Sequence, residues 1–181
     1  LAGGEGKRAG GHDKGLLVLE GKPLIEHVID RLHPQVDEII ISANRNVASY
    51  RRYGFPVIRD GQYDEHSDDV NYRGPLAGIA ATIPHCSHDK VVIVPCDMPY
   101  LPDDLVSRLD IDRSPLSIAE AGGRLQLLLM MDRRLLPSAQ KSLDENELSL
   151  MRWVKSQDHD VVAFAARDAD HDHFANFNEG V

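Results

Sequence analysis

The first fourteen residues of the chain form a glycine-rich segment, LAGGEGKRAGGHDK, that strongly limits which local structures this region can adopt. Five of these residues are glycines, which is too many for a stable helix, since an interior glycine costs about 1 kcal/mol relative to alanine. Glycine lets a ligand approach the backbone closely, and backbone N–H groups left free in such a loop bind anions. Arg8 and Lys14 add positive charge. The segment is therefore predicted to bind phosphate.

Three kinds of phosphate-binding loop can be compared with this segment. A P-loop needs Ser or Thr after its Gly-Lys pair, but Arg8 follows Gly6-Lys7, so that type is excluded. The dinucleotide-binding pattern G-x-G-x-x-[GA] is met over residues 4–9. That motif must open a helix, however, and Gly10-Gly11 would cost roughly 2 kcal/mol inside one. The remaining type is the loop of nucleotidyltransferases.

The pattern L-A-G-G-x-x-x-R-x-G-G-x-D-K over residues 1–14 resembles the signature of the molybdenum cofactor guanylyltransferases, the MobA-like proteins. Shorter segments extend the resemblance along most of the chain; they are SANR (42–45), GPLAG (74–78), PCDMP (95–99), GRLQ (123–126) and FANFN (174–178). Two departures stand out. Ser42 occupies a position where relatives carry Asn, and residues 179–181 replace the Thr-Pro and acidic residues with which relatives usually continue.

The resemblance implies an enzyme that transfers GMP from GTP to the terminal phosphate of molybdopterin, forming molybdopterin guanine dinucleotide and pyrophosphate. It implies Mg²⁺ as cofactor, GTP and molybdopterin as substrates, and other cofactor-biosynthesis or molybdoenzyme-maturation proteins as further partners. Two alternative functions use the same nucleotidyl-transfer reaction: a cytidylyltransferase of the same cofactor and a sugar-phosphate nucleotidyltransferase. Such relatives tend to show L-A-A-G where this chain has L-A-G-G. A third alternative is not an enzyme but a non-catalytic nucleotide-binding adaptor with the same fold.

Length and composition narrow the class of protein further. A chain of 181 residues predicts a single domain over 1–181, and because it opens on Leu1 without Met, we expect residues of an N-terminal strand to be missing. The net charge of −9 argues against binding to nucleic acid or to an anionic membrane surface. Two cysteines, Cys86 and Cys96, form no disulfide framework, which favours a cytoplasmic location. No apolar run approaches the ~18 residues of a membrane span.

The order of sequence patterns predicts an α/β fold. Helical and strand patterns alternate through the first hundred residues, which indicates βαβ units and a three-layer, Rossmann-like nucleotidyltransferase fold with a mostly parallel central sheet. Apolar residues spaced on one helical face predict a helix over residues 24–32. β-Branched runs predict buried strands over 38–43 and 90–95. Gly122-Gly123, between two strand patterns, is typical of an antiparallel hairpin.

In such folds, ligands bind outside the carboxyl ends of the parallel strands. Asp97 directly follows an apolar strand pattern, and Mg²⁺ prefers one or two carboxylates together with water and phosphate oxygens, so Asp97 is the predicted metal ligand. Lys14 and Arg8 are predicted to bind the triphosphate and to neutralise charge on the leaving pyrophosphate. Asp60 also ends a strand pattern, and it either binds a guanine edge or ribose, or starts a turn before Gly61.

These arguments and the resemblance together predict the site residues. The catalytic residues are Arg8, Lys14 and Asp97, with Asp97 also the metal ligand. The nucleotide-binding residues are Leu1, Ala2, Gly3, Gly4, Lys14, Ser42, Asp60, Gly78 and Asp97. The resemblance implies that the pterin side of the cleft is formed by Arg124, Gln126, Asn176 and Asn178. Asp13 is expected either to hold Lys14 or to form a surface pair, and Cys96 to fill space rather than act as a nucleophile.

Overall fold

The computed structural model describes residues 1–2, 13–61, 73–165, 173–174 and 177. The strands in these ranges are β1 (Val18–Leu19), β2 (Lys22–Pro23), β3 (Ile41–Ser42), β4 (Val57–Ile58), β5 (Lys90–Ile93), β6 (Leu116–Ala121), β7 (Arg124–Asp132) and β8 (Asp160–Phe164). The helices are α1 (Leu24–Leu32), α2 (Val47–Arg51), α3 (Gly74–Thr82), α4 (Leu105–Leu109), α5 (Leu136–Asp144) and α6 (Leu150–Ser156). Short 3-10 turns lie at Lys14–Leu16, Ile83–His85 and Arg133–Leu135.

The strands combine parallel and antiparallel pairing. β3 pairs with β4 in parallel, and β6 pairs with β8 in parallel. β7 is antiparallel to both β5 and β6, which gives the order β5-β7-β6-β8. The hairpin predicted at Gly122-Gly123 is confirmed, because Ala121 pairs with Arg124 across that turn. The α/β fold is therefore as predicted, and its sheet is mixed because the hairpin places an antiparallel strand between β5 and β6.

Residues Leu1 and Ala2 link the two halves of the sheet. The backbone nitrogen of Leu1 donates to Val94 O (2.7 Å), and Cys96 N donates to Leu1 O (3.0 Å), which is the alternating pattern of neighbouring parallel strands. On the other side, Ala2 N donates to Ser42 O (2.8 Å). The carboxyl ends of β3 and of the strand that contains β5 are thus brought to one edge, directly beside Ala2.

The strands predicted over residues 38–43 and 90–95 are both shorter in the structure, where β3 spans Ile41–Ser42 and β5 spans Lys90–Ile93. The ladder with β4 begins where Ile41 N donates to Pro56 O (2.9 Å), and it continues where Ala43 N donates to Ile58 O (2.9 Å). Residues 38–40 instead line a cavity of about 390 Å³, together with residues 90–94. Lys14, Asp60 and Asp97 lie outside the lining of this cavity, but Leu1 and Ser42 belong to it, so the cavity borders the predicted nucleotide site.

Helices cover both faces of the sheet. Side chains alternate between the faces along β7, so Leu129 and Met131 pack with α3, α5 and α6 in one apolar cluster. Leu128 and Met130 point the other way and pack with α1, α4 and Phe164 in a second cluster. This is the three-layer arrangement that the sequence predicts. Within the described ranges, no helix is long and apolar enough to cross a membrane.

Candidate active site

An ion pair between Lys14 and Asp97 marks the centre of the candidate site. Asp97 lies in the turn that follows β5, and Lys14 opens the 3-10 turn at Lys14–Leu16. Lys14 Nζ lies 3.0 Å from Asp97 Oδ2, and the two side chains are 25% and 14% exposed. Both therefore remain reachable from solvent. The first residue of the glycine-rich segment, Leu1, accepts a hydrogen bond from Cys96 N, and the last, Lys14, contacts Asp97, so the two ends of the segment lie beside Cys96 and Asp97.

The backbone around Asp97 is fixed on both sides. Cys96 N is held by Leu1 O, and the carbonyl of Asp97 accepts a hydrogen bond from Phe177 N (3.0 Å). Phe177 belongs to the FANFN segment, so this part of the carboxyl-terminal region reaches the site. Burial raises the pKa of the Cys96 thiol to about 12, which keeps it protonated at neutral pH. This agrees with the prediction that Cys96 is not a nucleophile.

A second group of predicted residues meets around Gly78 in α3. An ideal Cβ built on Gly78 would lie 2.7 Å from Ser42 Oγ, 3.3 Å from Leu1 Cδ2 and 3.8 Å from Asp60 Oδ2. Glycine at this position thus lets α3 pack closely against the strand ends. The structure brings together four predicted nucleotide-binding residues that are widely separated in the sequence.

Asp60 is held by a reciprocal pair of hydrogen bonds with Asn44. Asn44 Nδ2 donates to Asp60 Oδ1 (2.5 Å), and Asp60 N donates to Asn44 Oδ1 (3.0 Å). Partial burial raises the pKa of the Asp60 carboxyl, and the hydrogen bond from Asn44 opposes that shift. The rule that ligands bind at the carboxyl ends of parallel strands selects residues 42–44 and so includes Asn44, but it assigned Asn44 no role. That role depends on its contact with Asp60, which follows the neighbouring strand β4.

Asp13 lies in a buried polar cluster and not in the surface pair that was one of the two expectations from the sequence. Its side chain is only 4% exposed, and Tyr50 Oη donates to its Oδ1 (2.5 Å) while Asn46 Nδ2 donates to its Oδ2 (3.0 Å). Asp13 is therefore a buried anchor between the turn at Lys14–Leu16 and the start of α2, not a surface pair. Tyr50 and Asn46 are further residues that sequence patterns did not identify, because their role depends on a contact between distant segments.

The close packing of Gly15 beside Asp13 leads to a prediction about the stability of the protein. A Cβ on Gly15 would lie 2.6 Å from Tyr50 Oη and 3.1 Å from Cys96 Sγ, and both of those residues are buried. We expect Gly15→Ala to lower the free energy of unfolding by about 1–3 kcal/mol, since neither neighbour can easily move away. Chemical denaturation measures this change. Gly61→Ala is the matched control, because none of the described residues has an atom within 4 Å of its Cβ position. An equal loss in both variants would contradict the prediction.

Arg124 and Gln126 lie at the start of β7, next to the hairpin turn. Because β7 is antiparallel to β5, its first residues lie toward the carboxyl end of β5, the end that Asp97 follows. Gln126 Nε2 donates to the carbonyls of Ala121 (3.4 Å) and Arg124 (3.2 Å). A pterin-binding role for Arg124 and Gln126 stays a prediction. The other predicted site residues, Gly3, Gly4, Arg8, Asn176 and Asn178, lie outside the described residues.

Asp97 suits a divalent cation that shares its ligands with phosphate. Across the parts of the chain that the structure describes, no group of three or more His, Cys, Asp or Glu side chains comes together as a metal site. A cation at Asp97 would therefore take most of its ligands from water and phosphate oxygens, which is the coordination that Mg²⁺ prefers. The carboxylate is partly exposed and already faces a cation, the ammonium of Lys14. These properties fit the predicted role of Asp97 as metal ligand.

The fold and the two groups of side chains at the strand ends define an α/β nucleotidyltransferase. Residues 1–162 match the family described as the MobA-like NTP transferase domain. The chain belongs to this family.

Individual relatives agree with this assignment. The chain is 41% identical over 170 residues to a protein from Shewanella piezotolerans named molybdenum cofactor guanylyltransferase, covering 91% of this chain and 80% of that protein. Its fold matches the crystal structure of molybdopterin-guanine dinucleotide biosynthesis protein A from Archaeoglobus fulgidus, with a TM-score of 0.69, 21% identity and coverage of 94% and 87% of the two chains. It also matches 2-C-methyl-D-erythritol 4-phosphate cytidylyltransferase from Thermus thermophilus, with a TM-score of 0.66, 14% identity and coverage of 92% and 88%.

Proposed function

We propose that this protein transfers GMP from GTP to the terminal phosphate of molybdopterin, giving molybdopterin guanine dinucleotide and pyrophosphate. The observation that carries the proposal is the contact of 3.0 Å between Lys14 and Asp97 at the edge where the glycine-rich segment begins and ends. A cation and a carboxylate at that edge are the groups needed to handle a metal-bound triphosphate. The guanylyltransferase relative at 41% identity supports GTP as the nucleotide.

The proposed reaction needs little covalent chemistry from the protein. A phosphate oxygen of molybdopterin is already an anion, and it attacks the α-phosphorus of GTP in line. A new P–O bond forms to the acceptor while the bond to the leaving pyrophosphate breaks. No general base and no covalent enzyme intermediate are required, which fits a site whose nearby thiol, Cys96, has a pKa of about 12. Catalysis then consists of positioning the substrates and stabilising charge.

Charge stabilisation is assigned to Arg8 and Lys14 of the glycine-rich segment and to Asp97. The ammonium of Lys14 would contact triphosphate oxygens, and the guanidinium of Arg8 is proposed to do the same. Asp97 would hold Mg²⁺, which when bound neutralises the triphosphate and polarises its phosphate oxygens. The carbonyl of Asp97 accepts a hydrogen bond from Phe177 N, and Cys96 N donates to Leu1 O, so the backbone that carries the carboxylate is hydrogen-bonded on both sides.

Asp60 is proposed to recognise the base. Guanine offers two neighbouring donors, N1–H and the 2-amino group, which match the two oxygens of a carboxylate. Cytosine presents an acceptor at N3 instead and would repel such a group. Asp60 Oδ1 is oriented by Asn44, and Asp60 Oδ2 lies on the side of Gly78 and Ser42. This arrangement favours a purine with donors on its edge over a pyrimidine.

We expect Asp60→Asn to lower kcat/KM for GTP by about 10- to 100-fold, because the amide would turn an N–H donor toward a guanine donor. Asparagine keeps the shape of Asp60 and can still accept the hydrogen bond from Asn44. Steady-state kinetics with GTP and with ITP, which lacks the 2-amino group, measure the effect. The loss should be smaller with ITP. Asp103→Asn, at an exposed residue paired with Arg31, is the control, and an equal loss for both nucleotides would argue against base recognition by Asp60.

The proposed activity is tested by measuring pyrophosphate release from GTP and from CTP, with molybdopterin and Mg²⁺ present and with each left out. Release that requires molybdopterin and favours GTP supports the proposal. A preference for CTP would instead indicate the cytidylyltransferase alternative. Stabilisation by GTP without any turnover would indicate a nucleotide-binding adaptor. Proteins that supply molybdopterin or receive the product are the partners that this activity would require.

A further inference from the structure

Asp13 lies in a buried polar cluster next to Lys14. Its carboxylate accepts hydrogen bonds from Tyr50 Oη (2.5 Å) and Asn46 Nδ2 (3.0 Å), and the Arg45 Nε atom lies 3.8 Å from its Oδ2. Tyr50 is fully buried, and the Asp13 side chain is 4% exposed. A carboxylate can be buried in this way because several donors and a positive charge compensate for its loss of water. The result is a carboxylate with one fixed orientation.

Lys14, the next residue in the chain, points toward a different partner, Asp97. Asp13 O and Lys14 O accept from Leu16 N (3.0 Å) and Leu17 N (3.1 Å), so the backbone forms one tight 3-10 turn. The Lys14 side chain leaves this turn toward Asp97, with its Nζ 3.0 Å from Oδ2. Asp13 points toward α2 while Lys14 points toward the proposed triphosphate site.

Gly15, the residue after Lys14, also packs against Tyr50. The backbone of Gly15 approaches Tyr50 so closely that a Cβ would lie 2.6 Å from the hydroxyl oxygen. The same hydroxyl donates to Asp13. Tyr50 therefore contacts the residues on both sides of Lys14 and restricts where the Lys14 Cα can move. A lysine side chain has a long, flexible stem, so the position of its ammonium depends strongly on where its backbone is held.

We propose that Asp13 is a positioning residue that places Lys14 for the triphosphate, and that Tyr50 and Asn46 fix Asp13 for this purpose. This inference rests on the proposed function, because it assigns Lys14 a role on the nucleotide. It predicts that changes at Asp13 act on turnover through Lys14 and through no other route.

A double-mutant cycle tests the coupling. We expect Asp13→Asn to lower kcat/KM for GTP by about 100-fold, and Tyr50→Phe, which removes one donor, to lower it by roughly tenfold. In a Lys14→Ala background, the same two changes should cause little further loss. Full additivity in the double variants would overturn the inference, because a purely structural role would act independently of Lys14. Tyr53→Phe is the matched control, as the pKa of Tyr53 is raised by burial and by Glu26, away from Asp13.

A measurement without turnover separates this inference from the proposed function. Lys14 is half-buried against Asp97, so an acylating reagent should modify it slowly, with the exposed Lys155 as internal reference. We expect Tyr50→Phe and Asp13→Asn to raise the labelling rate of Lys14 relative to Lys155 by several-fold, as read by mass spectrometry of the folded protein. An unchanged ratio would contradict positioning by Asp13, even if the enzyme proves fully active. Absent GTP turnover in the wild type, together with a raised ratio in the variants, would refute the proposed function alone.

Discussion

Replacing Asp97 by asparagine is expected to reduce turnover of GTP by about 1000-fold while the protein stays folded. Asparagine keeps the size and shape of the side chain but removes the negative charge that the proposed Mg²⁺ site requires. The side chain is 14% exposed and contacts Lys14, so the substitution leaves no large cavity. Steady-state kinetics at saturating Mg²⁺ and a thermal denaturation curve measure the two parts of this prediction.

The control for Asp97→Asn is Asp110→Asn. Asp110 is an exposed carboxylate paired with Lys90 (2.5 Å), so it offers the same chemical change outside the site. Binding of Mn²⁺ to the nucleotide complex provides a second readout, which should weaken only in Asp97→Asn. Turnover like that of the wild type in Asp97→Asn would refute its assignment as metal ligand.

Replacing Lys14 by alanine is expected to lower kcat by about 100-fold, with a smaller effect on KM. The reason is that negative charge develops on the leaving pyrophosphate in the transition state, and an ammonium that meets this charge stabilises the transition state more than the bound substrate. Lys14→Arg keeps the charge and should recover part of the rate. Measuring kcat and KM separately distinguishes this pattern from a simple loss of binding.

Lys22→Ala is the matched control for Lys14→Ala, since Lys22 is partly exposed, pairs with Asp30 and lies near Lys14 in the sequence. We expect it to keep the wild-type rate. If Lys14→Ala raised KM alone and left kcat unchanged, Lys14 would bind the ground state only, and its proposed catalytic role would be wrong.

Much of the fold could be predicted because its signals are local. The one-face apolar spacing of residues 24–32 coincides with α1, and the pattern around Gly122-Gly123 became the β6–β7 hairpin. The strand pattern at residues 38–43 predicted too long a ladder. Strand assignment requires a bonded neighbour, and the ladder starts only at Ile41. That neighbour cannot be read from a single segment.

Only part of the candidate site could be predicted, because strand ends are local signals and side-chain partners are not. Strand ends were recognisable, and the rule that ligands bind at the carboxyl ends of parallel strands selected Asp60 and Asp97. In the structure Asp97 contacts Lys14, and Asp60 lies near Gly78. What the rule could not supply was the partner of each side chain. Asn44 on Asp60, and Tyr50 on Asp13, are contacts between segments 16 and 37 residues apart.

The kinds of element and the family of the chain can be read from the sequence alone, and the glycines and basic side chains of its first fourteen residues predict phosphate binding. These follow from periodicity, glycine content and spacing, which are properties of neighbouring residues. The tertiary structure decided which side chains meet: it set Lys14 beside Asp97 across 83 residues of chain and buried Asp13 against α2. Such pairings depend on how the strands order themselves in the sheet, and that order is settled only when the whole core packs.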